Sequence, residues 1–355
     1  MAPGADLITM DPVERAVERA IDLTCALVDI DSTTGREVEA GRYVSALLTG
    51  LGYTVVEQPV ADGRFNVFAH LGATPRVVFS THYDCVPPFF PPRRQRGLIV
   101  GRGSCDAKGI LAAQVAAAER LRASGCMDVG LLFLVGEERG SEGARVANGL
   151  APAGVEFLIN GEPTDNRQGV ATRGSLRVRL NATGRAAHSS FPELGISAID
   201  KLLDALMVTR GVQLPDDPEL GRTHYSVGLI EGGVAPNVVS PSASAELVFR
   251  TVGHGSEVVR ALEVIASIVD VETVVDIPAV RMYTEPGFET AVFPFTTDVP
   301  LLTHWGRPLL MGPGSIHVAH TDHEHLAVED LGAAIDLYVA MAGRLLGQQP
   351  VVAVP

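Results

Sequence analysis

The chain has 355 residues, 46% of them hydrophobic and 20% charged, which supplies ample apolar content and more length than one core usually uses. A formal net charge of −14 excludes nucleic acid and anionic membrane surfaces as expected partners, because both are recognised through basic patches. The four cysteines (Cys25, Cys85, Cys105, Cys126) form no CxxC pair, so reduced thiols in the cytoplasm are expected instead of a disulfide framework.

The first 16 residues have neither the basic stretch nor the apolar run of a signal peptide. No apolar run approaches the ~20 residues of a spanning helix. Residues 12–30 carry Val13, Ala16, Val17, Ala20, Leu23 and Leu27 at helical spacing, with Asp11 placed as N-cap. Residues 37–51 repeat the pattern and stop at Gly52. Residues 54–60 and 66–71 read as strands, and the apolar run 76–80 leads into Thr81-His82-Tyr83-Asp84. The proline-rich, basic stretch 87–96 reads as a rigid surface loop bordering that segment. A glycine-rich turn containing Asp106 precedes an alanine-rich helix at 110–121. The strand 130–135 runs into Gly136-Glu137-Glu138, and the strand 157–160 into Gly161-Glu162. Helices and strands alternating in this way predict an α/β layer sandwich.

The texture changes near residue 172. Residues 175–183 alternate apolar and polar, as an antiparallel strand with one wet face does. A helix (196–207), strands at 225–230 and 243–251, a helix (257–269) and a strand (272–277) follow. Strand-helix-strand-strand-helix-strand is the ferredoxin-like split pattern. The chain then returns to α/β texture, with a helix at 297–305, a strand at 308–311 and a closing helix at 331–346. The expected organisation is a discontinuous catalytic domain, 1–171 and 281–355, with an inserted α+β domain at 172–280.

Imidazole and carboxylate groups just past buried strand ends stand where open α/β sheets keep their sites, and they are ligands for zinc-like ions. His82 and Asp84, two apart, permit a carboxylate to reach the ring N–H of a ligating histidine. Glu137 and Glu138 are adjacent at a strand end and diverge, so one can bind metal while the other handles a proton. Read alone, such a pair is more often the first turn of a helix, where carboxylates favour the dipole. Cys85 and Cys105 adjoin these groups, but zinc-binding cysteines usually come closely paired. Late in the chain His317, His320, His323 and His325 lie close together, and spacing does not choose among them.

HxD, GRGxxDxKG, GEE, GEPT followed by RG, GxxxHSS, a GGxxxNVV segment and GPGxxxxAH occur in order between about residues 76 and 330. As a set they make the chain resemble the acetylornithine deacetylase / succinyl-diaminopimelate desuccinylase / carboxypeptidase G / aminoacylase family of co-catalytic zinc hydrolases. The resemblance implies a zinc-exopeptidase-like α/β/α catalytic domain whose inserted domain acts as lid and dimerisation surface. It implies His82 and Glu162 on one metal, Glu138 and His320 on the other, and Asp106 bridging. Asp84 would orient His82, and Glu137 would be the general base. His188 would enter the partner subunit's site and stabilise the tetrahedral intermediate. Asn237 and Arg250 would hold the substrate's carboxylate, and Gly312 and Gly314 would line the substrate site. Ser240-Pro241 replaces the family's direct Pro, and after His320 only Glu324 falls where the family has an acidic residue.

The expected cofactor is Zn²⁺, one or two per subunit, with Co²⁺ as a substitute. The expected reaction is removal of an N-acyl group, N-acetyl first, from an amino acid by a homodimer. A dipeptidase, carboxypeptidase or desuccinylase is the alternative. A non-catalytic metal-binding relative is a distant third, since Glu137 and all five ligands are present.

Overall fold

The computed structural model describes residues 11–72 and 74–347, so residues 1–10, on which the signal-peptide reading mostly rests, lie outside it. The chain divides into two compact units, one made of residues 1–170, 282–291 and 297–355, the other of residues 171–281 and 292–296. No helix among the described residues is long and apolar enough to cross a membrane.

The larger unit is built on a six-stranded sheet, in the order Thr54–Ala61, Arg64–His70, Val129–Leu134, Val77–His82, Phe157–Asn160, Arg307–Leu310. The last three pairings are parallel and the first two antiparallel. Val77–His82 and Val129–Leu134 are buried along their whole lengths, as parallel strands covered on both faces must be. Alternate side chains sort into two cores. Val77, Phe79, Leu131, Phe133 and Ile159 face the helices Pro12–Val28, Val38–Gly50, Lys108–Ala123 and Val328–Leu345. Val78, Leu132, Leu134 and Leu158 face the helix Glu142–Ala147 and Trp305. This is an α/β/α sandwich of the zinc-exopeptidase type.

Local sequence accounts for the helix ends. Asp11 accepts the N–H groups of Val13 and Glu14 while the Glu14 carboxylate reaches back to the Asp11 N–H, a complete capping box. The alanine-rich helix Lys108–Ala123 buries Ile110, Leu111, Ala112, Ala113, Val115, Ala117, Ala118 and Leu121.

Two elements differ from expectation. The helix predicted at 297–305 is only a 3₁₀ turn, Val299–Leu301. Thr297 Oγ1 accepts the Val299 N–H, Asp298 is buried, and Trp305 is pinned against Phe68, so the segment is an anchor and not a helix. The proline-rich loop ends in a strand, Arg93–Gln95, paired with Leu98–Val100, which also pairs with His325–Ala327. Alternation over three residues is too short to announce such strands.

The smaller unit has the four-stranded antiparallel sheet His224–Gly232, Ser242–Thr251, Gly174–Thr183, Asp270–Ile277, the ferredoxin-like order. Leu176, Val178, Leu180, Ala245, Leu247 and Phe249 face the helices Ala198–Thr209 and Gly255–Ala261. The opposite face is polar, with Arg179 paired across strands to Glu246 at 2.6 Å.

Candidate metal centre

The C-terminal ends of the central strands deliver the site. In the parallel register His82 lies beside Leu134 and Asn160 beside Leu310, so the segments leaving these strands emerge along one edge. His82 ends its own strand and is 1% exposed. Its Nδ1 is 3.1 Å from the backbone oxygen of Asp84 and 3.4 Å from Asp84 Oδ1. That puts a proton on Nδ1 and leaves Nε2 facing the acidic cluster, 3.0 Å from Asp106 Oδ1 and 4.0 Å from Glu162 Oε2.

Asp84 does more than hold His82. Its carboxylate accepts the Thr34 hydroxyl at 2.8 Å and the backbone N–H groups of Glu137 and Glu138 at 3.1 and 3.2 Å. Those two glutamates occupy a 3₁₀ turn entered through Gly136 at φ 71°, a left-handed conformation that suits glycine. Glu138 Oε1 lies 2.9 Å from His320 Nε2, which is also 3.3 Å from Asp106 Oδ2.

Two ligand groups result. The donor atoms of His82, Asp106 and Glu162 lie within 4.8 Å of one another, as do those of Asp106, Glu138 and His320, with Asp106 in both. Of the four late histidines only His320 belongs. His323 turns to Asp322 and His325 to the backbone oxygen of His323.

The electrostatics fit divalent cations. Burial pushes the Glu137 and Glu162 carboxyls well above the usual range, with the neighbouring charges adding to it and His82 opposing. Burial and the Asp106 charge raise Glu138. Burial lowers the His82 pKa, but its hydrogen bonds to Asp106 and Asp84 outweigh this and leave it well above ordinary. Hydrogen bonds to Asp106 and Glu138 push His320 up to about 10. Burial raises the Asp106 carboxyl, but the two imidazoles outweigh it and leave its pKa below the usual range. Glu162 Oε1 is buried without a hydrogen-bond partner. Buried carboxylates in excess over two imidazoles, one of them with an idle oxygen, are costly without a cation and suited to holding one.

Asp298 was invisible in the sequence. It is buried, bonded to Ser141, and burial pushes it up to about 6, while its charge raises Glu137 and Glu162. An aspartate read as part of a helical stretch offered no signal of this placement.

Gly312 and Gly314 are buried. The Gly312 N–H and C=O are used by Thr164, and a Cβ there would meet Glu162 O at 2.5 Å. At Gly314, with φ 79°, a Cβ would meet Cys105 Sγ at 2.6 Å. The Glu162 backbone at Gly312 and the Cys105 side chain at Gly314 leave no room for a Cβ. His188, Asn237 and Arg250 belong to the smaller unit. His188 and Asn237 are exposed neighbours, since the Ser189 N–H donates to Asn237 O at 3.0 Å and His188 bridges to Val238. His188 Nδ1 accepts the Ser190 N–H at 3.1 Å, so its Nε2 carries the proton of the neutral ring. Arg250 lies at the far end of the strand Ser242–Thr251, with one bond of 3.4 Å to Thr296 Oγ1.

Comparison with known proteins agrees with this geometry. The sequence profile of peptidase family M20/M25/M40 matches residues 78–344. The chain is 39% identical over 359 residues to a "probable carboxypeptidase" of Aspergillus terreus, covering 88% of this chain and 83% of that protein. The fold is similar to aminopeptidase PepT of Bacillus cereus, with a TM-score of 0.77 at 22% identity over 93% of this chain and 99% of that one. It is also similar to a Bacillus subtilis protein described as a dinuclear metal-binding peptidase, with a TM-score of 0.69 at 16% identity over 95% and 100% of the two chains.

Proposed function

Because the chain belongs to peptidase family M20/M25/M40 and is a hydrolase of amide bonds, we propose that it releases an amino acid with a free carboxylate from a short peptide or an N-acyl derivative. The observation that carries this reading is the pair of ligand groups sharing Asp106 beside the half-buried Glu137. His82 and Glu162 would hold one ion, Glu138 and His320 the other, with Asp106 between them. We take the ions to be Zn²⁺, with Co²⁺ able to substitute. When bound, such an ion polarises the amide carbonyl and lowers the pKa of water to about 7.

Glu137 is the general base. Its carboxylate is set in an apolar, acidic surrounding that favours taking up a proton, and its backbone is fixed by Asp84. It removes a proton from water as the oxygen adds to the amide carbon, and returns that proton to the departing nitrogen. His188 donates its Nε2 proton toward the oxygen that gathers charge. Arg250, with Asn237, takes the substrate's carboxylate.

Arg250 lies roughly 25 Å along the strand from Ser242, at about 3.3 Å per residue, whereas Asn237 precedes that strand and His188 pairs with Val238 before it. One smaller unit therefore does not bring all three to one substrate, which supports a homodimer in which His188 and Asn237 serve the partner's site. The same unit offers apolar surface for such a contact. The edge strand His224–Gly232 exposes Leu229 and Ile230 (58% and 60%), and the adjoining segments expose Leu203 and Met207 (52% and 65%). Unpaired apolar edge strands are sites of association. The four unpaired cysteines fit a cytoplasmic enzyme.

The GPGxxxxAH context favours N-acetyl amino acids, whereas the relatives named carboxypeptidases favour peptides. A panel of N-acetyl, N-succinyl and dipeptide substrates, with metal-stripped and Zn²⁺- or Co²⁺-supplemented enzyme, separates these by release of free amine. If none of them yields amine at any metal concentration, the proposal fails.

A further inference from the structure

The loop that carries Asp106 closes around one carboxylate from far down the chain. Glu324 is fully buried, and its Oε1 accepts the backbone N–H groups of Gly103, Cys105 and Asp106 at 2.9, 3.2 and 3.1 Å. Its Oε2 takes the Arg102 guanidinium at 2.6 Å, and Arg102 is itself 2% exposed. Arg102 continues the network outward, donating to Pro88 O at 3.2 Å and lying 4.9 Å from the ring centre of Phe90. The Glu324 main chain is tied to the same loop. Gly101 N–H donates to Glu324 O at 3.1 Å, extending the pairing of Leu98–Val100 with His325–Ala327.

Two ligands of one proposed ion meet at this residue. Asp106 hangs from a backbone that Glu324 holds by three donors. His320, four residues before Glu324, sits at φ 64°, a conformation a non-glycine residue keeps only where its surroundings fix it. His82 and Glu162, by contrast, leave central strands of the sheet, and Glu138 is held by Asp84. Loosening Glu324 therefore frees two members of the Asp106–Glu138–His320 group but only Asp106 of the other.

We propose that Glu324 is a positioning residue that sets Asp106 against His320, and through them the affinity of the second cation site. This rests on the metal centre proposed above. A buried carboxylate with four hydrogen bonds is more than a fold needs at a surface turn, and its placement beside two ligands gives it a task.

The test is Co²⁺ binding by the full-length protein, stripped of metal and titrated against a chromophoric chelator, for wild type, Glu324→Gln and Arg102→Met. The glutamine keeps an oxygen for the three N–H groups but turns an NH₂ toward the Arg102 donors. Wild type should bind two ions. Glu324→Gln, with an unchanged far-ultraviolet circular dichroism spectrum, should keep one tight ion and bind the other about 10–100-fold more weakly. Arg102→Met should weaken the same ion by a smaller factor, since the three backbone donors remain. Both constants unchanged in a folded Glu324→Gln protein, or both weakened equally, would overturn the inference. If that variant does not fold, Arg102→Met decides by the same criterion. A wild type that binds fewer than two ions overturns the metal-centre reading, and this inference with it; an unchanged variant beside a two-ion wild type overturns this inference alone.

Discussion

The Asp84 carboxylate accepts the backbone N–H of Glu137 at 3.1 Å, so the residue beside His82 also holds the proposed general base. With its bonds to Glu138 N–H and Thr34, one buried aspartate ties two neighbouring strand ends together. Asp84→Asn keeps the shape but removes the charge that attracts four donors. It should lower kcat by about 10–100-fold, with a smaller loss of metal, because both the ligand and the base lose support. Equal kcat in the variant and wild type would remove Asp84 from the mechanism.

Glu137→Gln preserves volume and removes only the basic oxygen. Metal content and folding should stay at wild-type levels, while kcat falls by at least about 10²–10⁴-fold. Elemental analysis and turnover on the best substrate of the panel check this together. A variant that turns over normally would sink the mechanism.

Asp106→Ala should cost more metal than any other single ligand change, since this carboxylate faces both His82 and His320. Retention of two equivalents by this variant would move the bridging role to another carboxylate.

Metal and protons compete for the same groups, and the sign follows from the direction of each shift. Asp298 is raised from 3.8 to about 6 and the three glutamates are raised from 4.5. His82 and His320 are raised above 6.5. In each case the folded chain holds more protons than the unfolded one between the two pKa values, so this stability is present at low pH and lost as pH rises. Asp106, lowered, acts in the opposite sense only below 3.8. The melting temperature in EDTA should therefore fall relative to that of metal-loaded protein between about pH 5 and pH 9. The gain from added Zn²⁺ should grow with pH, and a pH-independent gain would contradict the carboxylate cluster as the metal site.

Much of this was readable in the sequence because strand ends are announced by apolar runs and the ligands follow them at once. His82, Glu137, Glu138 and Glu162 all sit within a few residues of such a run. Asp298 and the roles of Thr34 and Glu324 were not readable, since each acts through tertiary contacts with residues at least 50 positions away. The 3₁₀ turn at Val299–Leu301 escaped because burial of Trp305 and Asp298 overrides the helical pattern of 297–305.

The separation of Arg250 from His188 along one strand leads to the last prediction. If His188 serves the partner's site, His188→Ala should reduce kcat without reducing metal content, because it is a member of neither ligand group. The protein should also be a dimer by light scattering. Mixing His188→Ala subunits with Glu137→Gln subunits gives hybrids in which one site carries both lesions and the other neither. Each parent is impaired, yet the intact site of a hybrid should work at the wild-type rate. With free exchange about half of the dimers are hybrids, so activity should recover to roughly a quarter of wild type per subunit. Subunit exchange is verified independently by mixing tagged and untagged chains. Exchange without recovery would mean that His188 acts within its own chain or takes no part in the reaction.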